Sequence, residues 1–224
     1  MKLRTLCALC LLAAAGVASA TSYNFRQASR GLSGPAAAEA PVVAAPLPTV
    51  VWGTPNYPAD ITVGADGLTV TVAPTSITTG VLLATPGIPT TGKWYWEVIP
   101  TAGEVTNLAP GVSTSSGNNF TGFRPRDNVG AAASACYPSA CSSDVNAVFV
   151  LNDVLGFAYD TSTKKVMIYR NNVLKYTRDT SAVSGTRYPA FRVMGASNGG
   201  TYVANFGSKP FVYEPPAGYT KLEP

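Results

Sequence analysis

The sequence offers few side chains that could catalyse a reaction. It contains no histidine, which excludes Ser-His-Asp and Cys-His catalysis and argues against an ordinary catalytic zinc site. Glu97 lies among aromatic residues, where a carboxylate could serve a glycosidase, but that chemistry needs a second carboxylate. No Asp or Glu stands two or four residues from Glu97. Asp153 and Asp160 bracket one apolar segment and are predicted to form turns. We therefore expect a protein that is not an enzyme and has no cofactor or metal.

The candidates for binding lie in a stretch rich in glycine, serine and asparagine. Aromatic and arginine side chains are the usual anchors of protein interfaces, and such a loop has little other reason to carry them. The alternative for the two phenylalanines is that they pin the loop to the domain. The predicted ligand-binding residues, taken as exposed loop residues, are Phe120, Phe123, Arg124, Arg126, Asp127 and Tyr137.

The first twenty residues read as a secretory signal. Lys2 and Arg4 give a positive start, residues 6–17 are an apolar run too short to span a bilayer comfortably, and residues 18–20 are small. We predict cleavage after Ala20 and a secreted or periplasmic protein, without stable membrane insertion once the signal is removed. An uncleaved anchor is the alternative.

Charge argues against a nucleic-acid partner. Removal of Lys2 and Arg4 from the 16 basic residues leaves 14, against 12 acidic residues. No block of like charge stands out, so the electrostatic footprint of a nucleic-acid-binding protein is missing.

Two cysteines, Cys136 and Cys141, remain after the signal. In an oxidising compartment they have one intramolecular pairing, which would close a small loop and contribute roughly 2 kcal/mol at best. A metal site would need more soft ligands than two thiolates. We therefore predict a disulfide in preference to a metal.

Residues 21–49 read as a leader or linker. The stretch 33–50 is rich in alanine and proline, which favours extended polyproline conformations and offers no periodic apolar face. The domain that follows is predicted to cover residues 50–224.

Alternation of apolar and polar residues begins after Trp52. Residues 68–72 (LTVTV) place leucine and valines on one face and threonines on the other, and residues 93–99 (KWYWEVI) alternate again. Residues 153–159 are apolar on both faces, as in a central strand. A polar turn and a returning strand make a hairpin, and Asn171 with Asn172 makes the next tight turn. Further strands are predicted at residues 188–193 and 201–206. Many short strands separated by turns indicate one all-β sandwich domain.

The amino-acid sequences of these strands resemble those of the SPRY domain, the core of B30.2. The similar segments are residues 92–98 (GKWYWEV), 153–160 (DVLGFAYD), 166–173 (VMIYRNNV), 188–190 (YPA), 204–207 (ANFG) and 210–211 (PF). Trp52 with residues 61–63, and the closing residues 215–219 (PPAGY), look like the bacterial and phage branch of that family. The resemblance covers residues 50–222.

The resemblance implies a bent, concanavalin-like sandwich of two antiparallel sheets that recognises other proteins through its loops and has no catalytic machinery. It makes Glu97 a structural position. Asn172 stands where the family usually has glycine, and residues 113–152 are longer than the family pattern. The leading hypothesis is an exported, non-enzymatic module with a protein partner. A lectin-like domain that binds glycan is the alternative, and a structural component of a phage-derived particle is a third.

Overall fold

A computed structural model describes residues 49–53, 60–73, 79–103, 105, 108–115, 119–123, 134–137, 140–143, 149–194 and 199–222. The chain divides into two units, Met1–Ala44 and Ala45–Pro224, and all described residues belong to the second. The predicted signal and, apart from Thr49, the predicted leader lie outside the described residues, so their boundaries stay predictions.

The described residues form strands and turns. In chain order the strands are β1 (Val51–Trp52), β2 (Ile61–Val63), β3 (Thr69–Val72), β4 (Thr79–Thr85), β5 (Lys93–Gly103), β6 (Leu108–Thr114), β7 (Thr121–Gly122), β8 (Ser134–Tyr137), β9 (Ala140–Ser143), β10 (Leu155–Asp160), β11 (Lys165–Arg170), β12 (Val173–Asp179), β13 (Arg187–Met194), β14 (Gly200–Asn205) and β15 (Thr220–Lys221). A search of the same ranges finds no helix long and apolar enough to cross a membrane.

Thirteen of these strands form two sheets. The five-stranded sheet has the order β1-β4-β13-β6-β7, and the eight-stranded sheet has the order β12-β11-β10-β5-β14-β3-β2 with β15 added beside β5. Neighbouring strands are antiparallel, except that β15 runs parallel to β5. The strands β8 and β9 pair with each other as a separate hairpin. This arrangement confirms the predicted all-β antiparallel sandwich.

The alternation read from the sequence decides which side chains enter the core. Leu68, Val70 and Val72 are buried, and the threonines between them lie on the other face. In β5, Trp96 and Val98 belong to the core between the sheets. Glu97 points to the outer face of the eight-stranded sheet, where its carboxylate accepts a hydrogen bond from the Val212 N–H. A strand with a period of two thereby gives the sheet an inner and an outer face.

The strand β10 lies between β5 and β11, and all its residues are buried. Its Phe157 stacks on Trp96 with ring centroids 5.5 Å apart. The hairpin formed by β10 and β11 lies where it was predicted. In the turn between β11 and β12, Asn171 and Asn172 have φ values of 49° and 63°. Asparagine tolerates this left-handed region better than most residues, which is why Asn172 can stand where glycine is usual.

Trp52 joins the two sheets. Its indole N–H donates to the Leu68 carbonyl at 2.9 Å, and its ring meets Phe206 and Phe191 edge-on at centroid distances of 5.3 and 6.4 Å. Each fully buried side chain of this size contributes roughly 1.5–3 kcal/mol. Of the three tryptophans, whose size and apolar character favour the core over a binding surface, Trp52 and Trp96 are core residues, and Trp94 is partly buried and packs against the core.

Candidate interaction surface

Several connections leave the sandwich at one end, which we call the loop end. In the eight-stranded sheet, Gly200 at the start of β14 pairs with Val72 and Gly103 at the ends of β3 and β5. In the five-stranded sheet, the end of β13 pairs with Leu108 at the start of β6 and with Thr79 at the start of β4. Because short connections join these termini across the two sheets, they all lie at the same end. The opposite end, with the β4–β5, β10–β11 and β12–β13 connections, is called the turn end.

The predicted site segment also departs from the loop end. The strand β7 runs antiparallel to β6, and after it the Phe123 N–H donates to the Pro110 carbonyl at 3.0 Å. The next three predicted site residues, Arg124, Arg126 and Asp127, lie outside the described residues. Their role in binding stays a prediction, but the point from which their segment leaves the sandwich is defined.

The backbone of the predicted cysteine loop forms the β8–β9 hairpin. In its register, Cys136 is directly opposite Cys141, and Tyr137 is opposite Ala140. The side chains of this hairpin are outside the described part of the structure. The disulfide and the contact role of Tyr137 therefore stay predictions.

Phe123 is a core residue, and the expectation that its ring is exposed is wrong. The side chain is 1% exposed. Its ring meets Phe149, Phe157 and Tyr176 edge-on, with centroids 5.8, 6.0 and 6.5 Å apart. Burial among aromatic rings removes Phe123 from any contact with a partner. It fixes the start of the following loop instead.

Phe120 is also buried, at 2% exposure, but on the outer face of the five-stranded sheet. It packs there in a small cluster with Ala109 and Ala190. A Cβ atom added to Gly111 or Gly122 would come within 2.8 or 2.7 Å of the ring's Cζ atom. These two glycines thus make the slot that the ring fills. The alternative that the phenylalanines pin the loop is the one that the structure supports.

An exposed aliphatic cluster lies at the loop end. It consists of two pairs of side chains, Val150 with Leu151 and Val173 with Leu174, which are 53%, 40%, 55% and 49% exposed. The first pair precedes β10 and the second begins β12. Val173 and Leu174 pair with the last two residues of β11, and the last of these, Arg170, also pairs with Leu155 at the start of β10. Both pairs therefore lie near the same strand ends. The described chain shows one other exposed large apolar side chain, that of Val212.

Hydrogen bonds hold the two pairs of the aliphatic cluster in place. The Asn171 side chain accepts from the Val154 N–H at 2.8 Å and donates to an Asp153 carboxylate oxygen at 2.6 Å. The other Asp153 oxygen accepts from the Val150 N–H at 2.7 Å and lies 2.7 Å from Arg170 Nε. Asp153 and Asn171 were predicted as turn residues, and the structure adds that they bond to each other. The platform beneath the aliphatic cluster is rigid for this reason.

Glu97 has a structural role. Its carboxylate is 1% exposed and accepts from the Val212 and Tyr213 N–H groups at 2.9 and 3.0 Å and from the Tyr95 hydroxyl at 3.1 Å. Burial, together with the Glu97 charge, raises the pKa of Tyr95. Both carboxylate oxygens are held by these donors, and burial keeps them out of reach of a substrate. Within the described ranges, no group of three His, Cys, Asp or Glu residues could hold a metal ion.

Tyrosines line the outer face of the eight-stranded sheet near β5. Tyr169 and Tyr219 are partly exposed there, and burial raises the pKa of each, with the Asp160 charge adding to the effect at Tyr219. The Lys93 ammonium lies 3.5 Å from the Asp160 carboxylate and 5.7 Å from the centre of the Tyr219 ring. This face combines aromatic surfaces with a fixed ion pair.

No protein-family model and no curated protein matches the sequence. Among solved structures, the SPRY domain of human HERC1 aligns with a TM-score of 0.49 and 16% sequence identity, over 64% of this chain and 91% of that domain. The TRIM65 PSpry domain aligns with a TM-score of 0.50 and 14% identity, over 70% of this chain and 92% of that domain. At this level of identity the likeness concerns the fold. The antiparallel sandwich of this chain is accordingly similar to the fold of SPRY domains.

Proposed function

We propose that this chain is an exported, non-enzymatic module that binds a protein partner at the loop end. The observation that carries the proposal is the aliphatic cluster of Val150, Leu151, Val173 and Leu174, exposed on a platform that hydrogen bonds make rigid. Large apolar side chains grouped on a surface mark interaction sites more often than single ones do. The resemblance of the strands to SPRY domains implies the same class of function.

The neighbourhood of the aliphatic cluster fits a protein interface. Interfaces combine an apolar centre with a rim of polar and charged residues. The segment that begins at Arg124 leaves from the same end of the sandwich, and Arg126 and Asp127 follow within three positions. In this proposal Leu151 and Leu174 form the centre of the contact, and the arginines belong to its rim. A rigid platform lowers the entropy that is lost when the partner binds.

The test compares serine substitutions at exposed apolar positions. Leu151→Ser and Leu174→Ser remove large apolar groups at the loop end, whereas Val212→Ser removes one from the segment on the outer sheet face. Mature wild-type protein is immobilised, proteins captured from the envelope and the medium are identified, and each variant is measured against the same partners. We expect both leucine variants to lose at least about fivefold in affinity and Val212→Ser to bind as the wild type does, since truncating a central contact typically costs more than about 1 kcal/mol. Equal binding by all three variants would place the site elsewhere.

A glycan ligand is the second candidate, and the tyrosine-lined outer face favours it. Aromatic faces beside polar groups suit sugars, which have both apolar and hydroxyl-bearing surfaces. Tyr219 lies beside the Lys93–Asp160 ion pair, and Tyr169 is close enough to Tyr219 to interact with it electrostatically. Reproducible binding on a glycan array that Tyr219→Ala abolishes and Leu151→Ser leaves unchanged would favour a glycan ligand over a protein partner.

A further inference from the structure

A cavity of about 190 Å³ opens at the turn end, away from the aliphatic cluster. Three connections between strands form its walls. Ile88 belongs to the connection between β4 and β5, Lys164 to the turn between β10 and β11, and Val183 to the connection between β12 and β13. Arg187, the first residue of β13, also lines the cavity. Nothing in the proposed function uses these residues.

Hydrogen bonds tie the three walls to one another. The Ile88 N–H donates to the Arg187 carbonyl at 2.8 Å. The Lys164 carbonyl accepts from both the N–H and the hydroxyl of Thr180, at 2.8 and 2.7 Å. The Thr161 hydroxyl donates to the carbonyl of a glycine before β5 at 2.8 Å. The cavity is therefore formed before any ligand arrives, which lowers the entropic cost of binding.

Arg187 brings a buried positive charge to this cavity. The residue is 6% exposed. Its two terminal nitrogens donate to four main-chain carbonyls, those of Thr180 at 2.7 Å, Val183 at 2.6 Å, Ser184 at 3.4 Å and Gly185 at 2.8 Å. Carbonyl oxygens satisfy the N–H groups but carry no net charge, and a guanidinium keeps its proton. No ion pair joins Arg187 to a carboxylate of the described residues, so its charge is not neutralised within them.

The other charges around the cavity leave the balance positive. Lys164 supplies a second cation to the lining, and none of the described lining residues is acidic. The nearest carboxylates are engaged elsewhere: Asp160 accepts from the Ser162 hydroxyl at 2.6 Å and pairs with Lys93. Asp179 accepts from a backbone N–H of the next turn at 2.7 Å, although it is close enough to Lys164 to feel its charge. An anion in the cavity would meet two cations and no competing carboxylate on its walls.

We propose that this cavity binds a small organic anion, whose carboxylate or phosphate group lies toward Lys164 and Arg187. Ile88 and Val183 offer an apolar wall for the rest of the ligand. The volume is below the range typical of sites for drug-sized molecules, which favours a compact ligand with one charged group and a small apolar body. A buried cation gains more from an anion than an exposed one does, because less water screens the attraction.

Amide chemical shifts of the isotope-labelled full chain test the site. Phenyl phosphate and benzoate are added in separate titrations, and the tighter of the two shows which anionic group is preferred. We expect saturable shifts confined to residues 88–92, 161–164 and 183–187. Lys164→Gln should weaken the binding about two- to fivefold, the range for a charge pair open to solvent. Lys165→Gln is the matched control, because it removes the same charge from the next residue, which does not line the cavity.

Benzyl alcohol, which has the same ring without a charge, separates anion recognition from apolar filling. We expect it to cause no saturable shift at these residues. The proposal is overturned if benzyl alcohol binds as tightly as the anions, if the two lysine variants weaken binding equally, or if neither anion shifts the cavity amides.

Discussion

Replacement of Glu97 by glutamine should loosen the segment that crosses the outer face of β5. One carboxylate oxygen of Glu97 accepts from the Val212 N–H at 2.9 Å, and the other accepts from the Tyr213 N–H at 3.0 Å and the Tyr95 hydroxyl at 3.1 Å. Glutamine has almost the same shape but only one oxygen. Its amide nitrogen cannot accept a hydrogen bond, so one backbone N–H loses its acceptor.

The magnitude follows from two opposing terms. A hydrogen bond to a charged group is worth about 1.5–3 kcal/mol, and the two that survive at Glu97→Gln become bonds to a neutral oxygen. Removal of a buried charge returns part of its desolvation cost. We expect the free energy of unfolding to fall by about 2 kcal/mol, which in a domain of this size lowers the melting temperature by about 4–8 °C.

The assay pairs thermal denaturation with amide hydrogen exchange. Exchange at Val212 and Tyr213 should accelerate in Glu97→Gln more than exchange in the core strands does, because the lost bond is local. Glu214→Gln is the control, since it makes the same chemical change at an exposed residue of the same segment. Equal melting temperatures for the two variants, with unchanged exchange at residues 212 and 213, would refute the reasoning.

Four further outcomes are expected. Trp96→Ala should lower the free energy of unfolding by about 3–5 kcal/mol in urea titrations, because a large buried ring is deleted, and Trp96→Phe should cost clearly less. The hydrogen bond from the Ser162 hydroxyl lowers the pKa of Asp160, and burial raises it. The resulting pKa is about 2, below the value of about 3.9 in the unfolded chain. Its contribution to stability is therefore complete above about pH 4 and lost as the pH falls through about 2, so Asp160→Asn should flatten the decline in melting temperature over that interval. Thiol titration of the mature native protein should find neither Cys136 nor Cys141 free, and two reactive thiols would contradict the predicted bridge. Mass spectrometry of the exported protein should show Thr21 as its first residue.

The strands could be predicted because their signal is local. Residues 68–72 and 93–99 alternate, and successive side chains of each strand point to opposite faces. Burial follows the alternation in residues 68–72, whereas residues 95–98 are all buried because the segment of residues 211–213 covers the outer face of β5. The turn at Asn171 and Asn172 was equally readable, because positive φ values favour few residue types. These features depend on neighbours within a few positions. The sequence contains that information directly.

The contacts of Phe120 and Arg187 could not be predicted in the same way. The Phe120 ring is buried because Gly111 and Gly122, on two paired strands, leave room for it, and a loop sequence alone gives no sign of that slot. Arg187 is buried because the backbone of the preceding connection presents four carbonyls to it. Loop geometry of this kind is decided by tertiary structure.

Of the predicted site residues, the structure describes the side chains of Phe120 and Phe123, and both are buried. The segment from Arg124 onward was selected for its aromatic and arginine residues, and it does begin at the end where the exposed aliphatic side chains lie. Leu151 and Leu174 were missed, because a leucine beside or within a strand is usually expected to be buried. Only the burial of the surrounding strands shows that these two have no place inside the sandwich.

The attachment of residues 212 and 213 to Glu97 also bears on how the chain is made. Glu97 belongs to a central strand, yet its backbone donors are synthesised 115 and 116 positions later. At a synthesis rate of about 5–20 residues per second, the carboxylate waits roughly 6–23 s for them. The parallel pairing of β15 with β5 spans an even longer separation, from Trp94 to Thr220. The middle of the larger sheet is therefore completed late, and a ribosome-bound chain cannot complete this part of the domain until residues 212–221 have emerged.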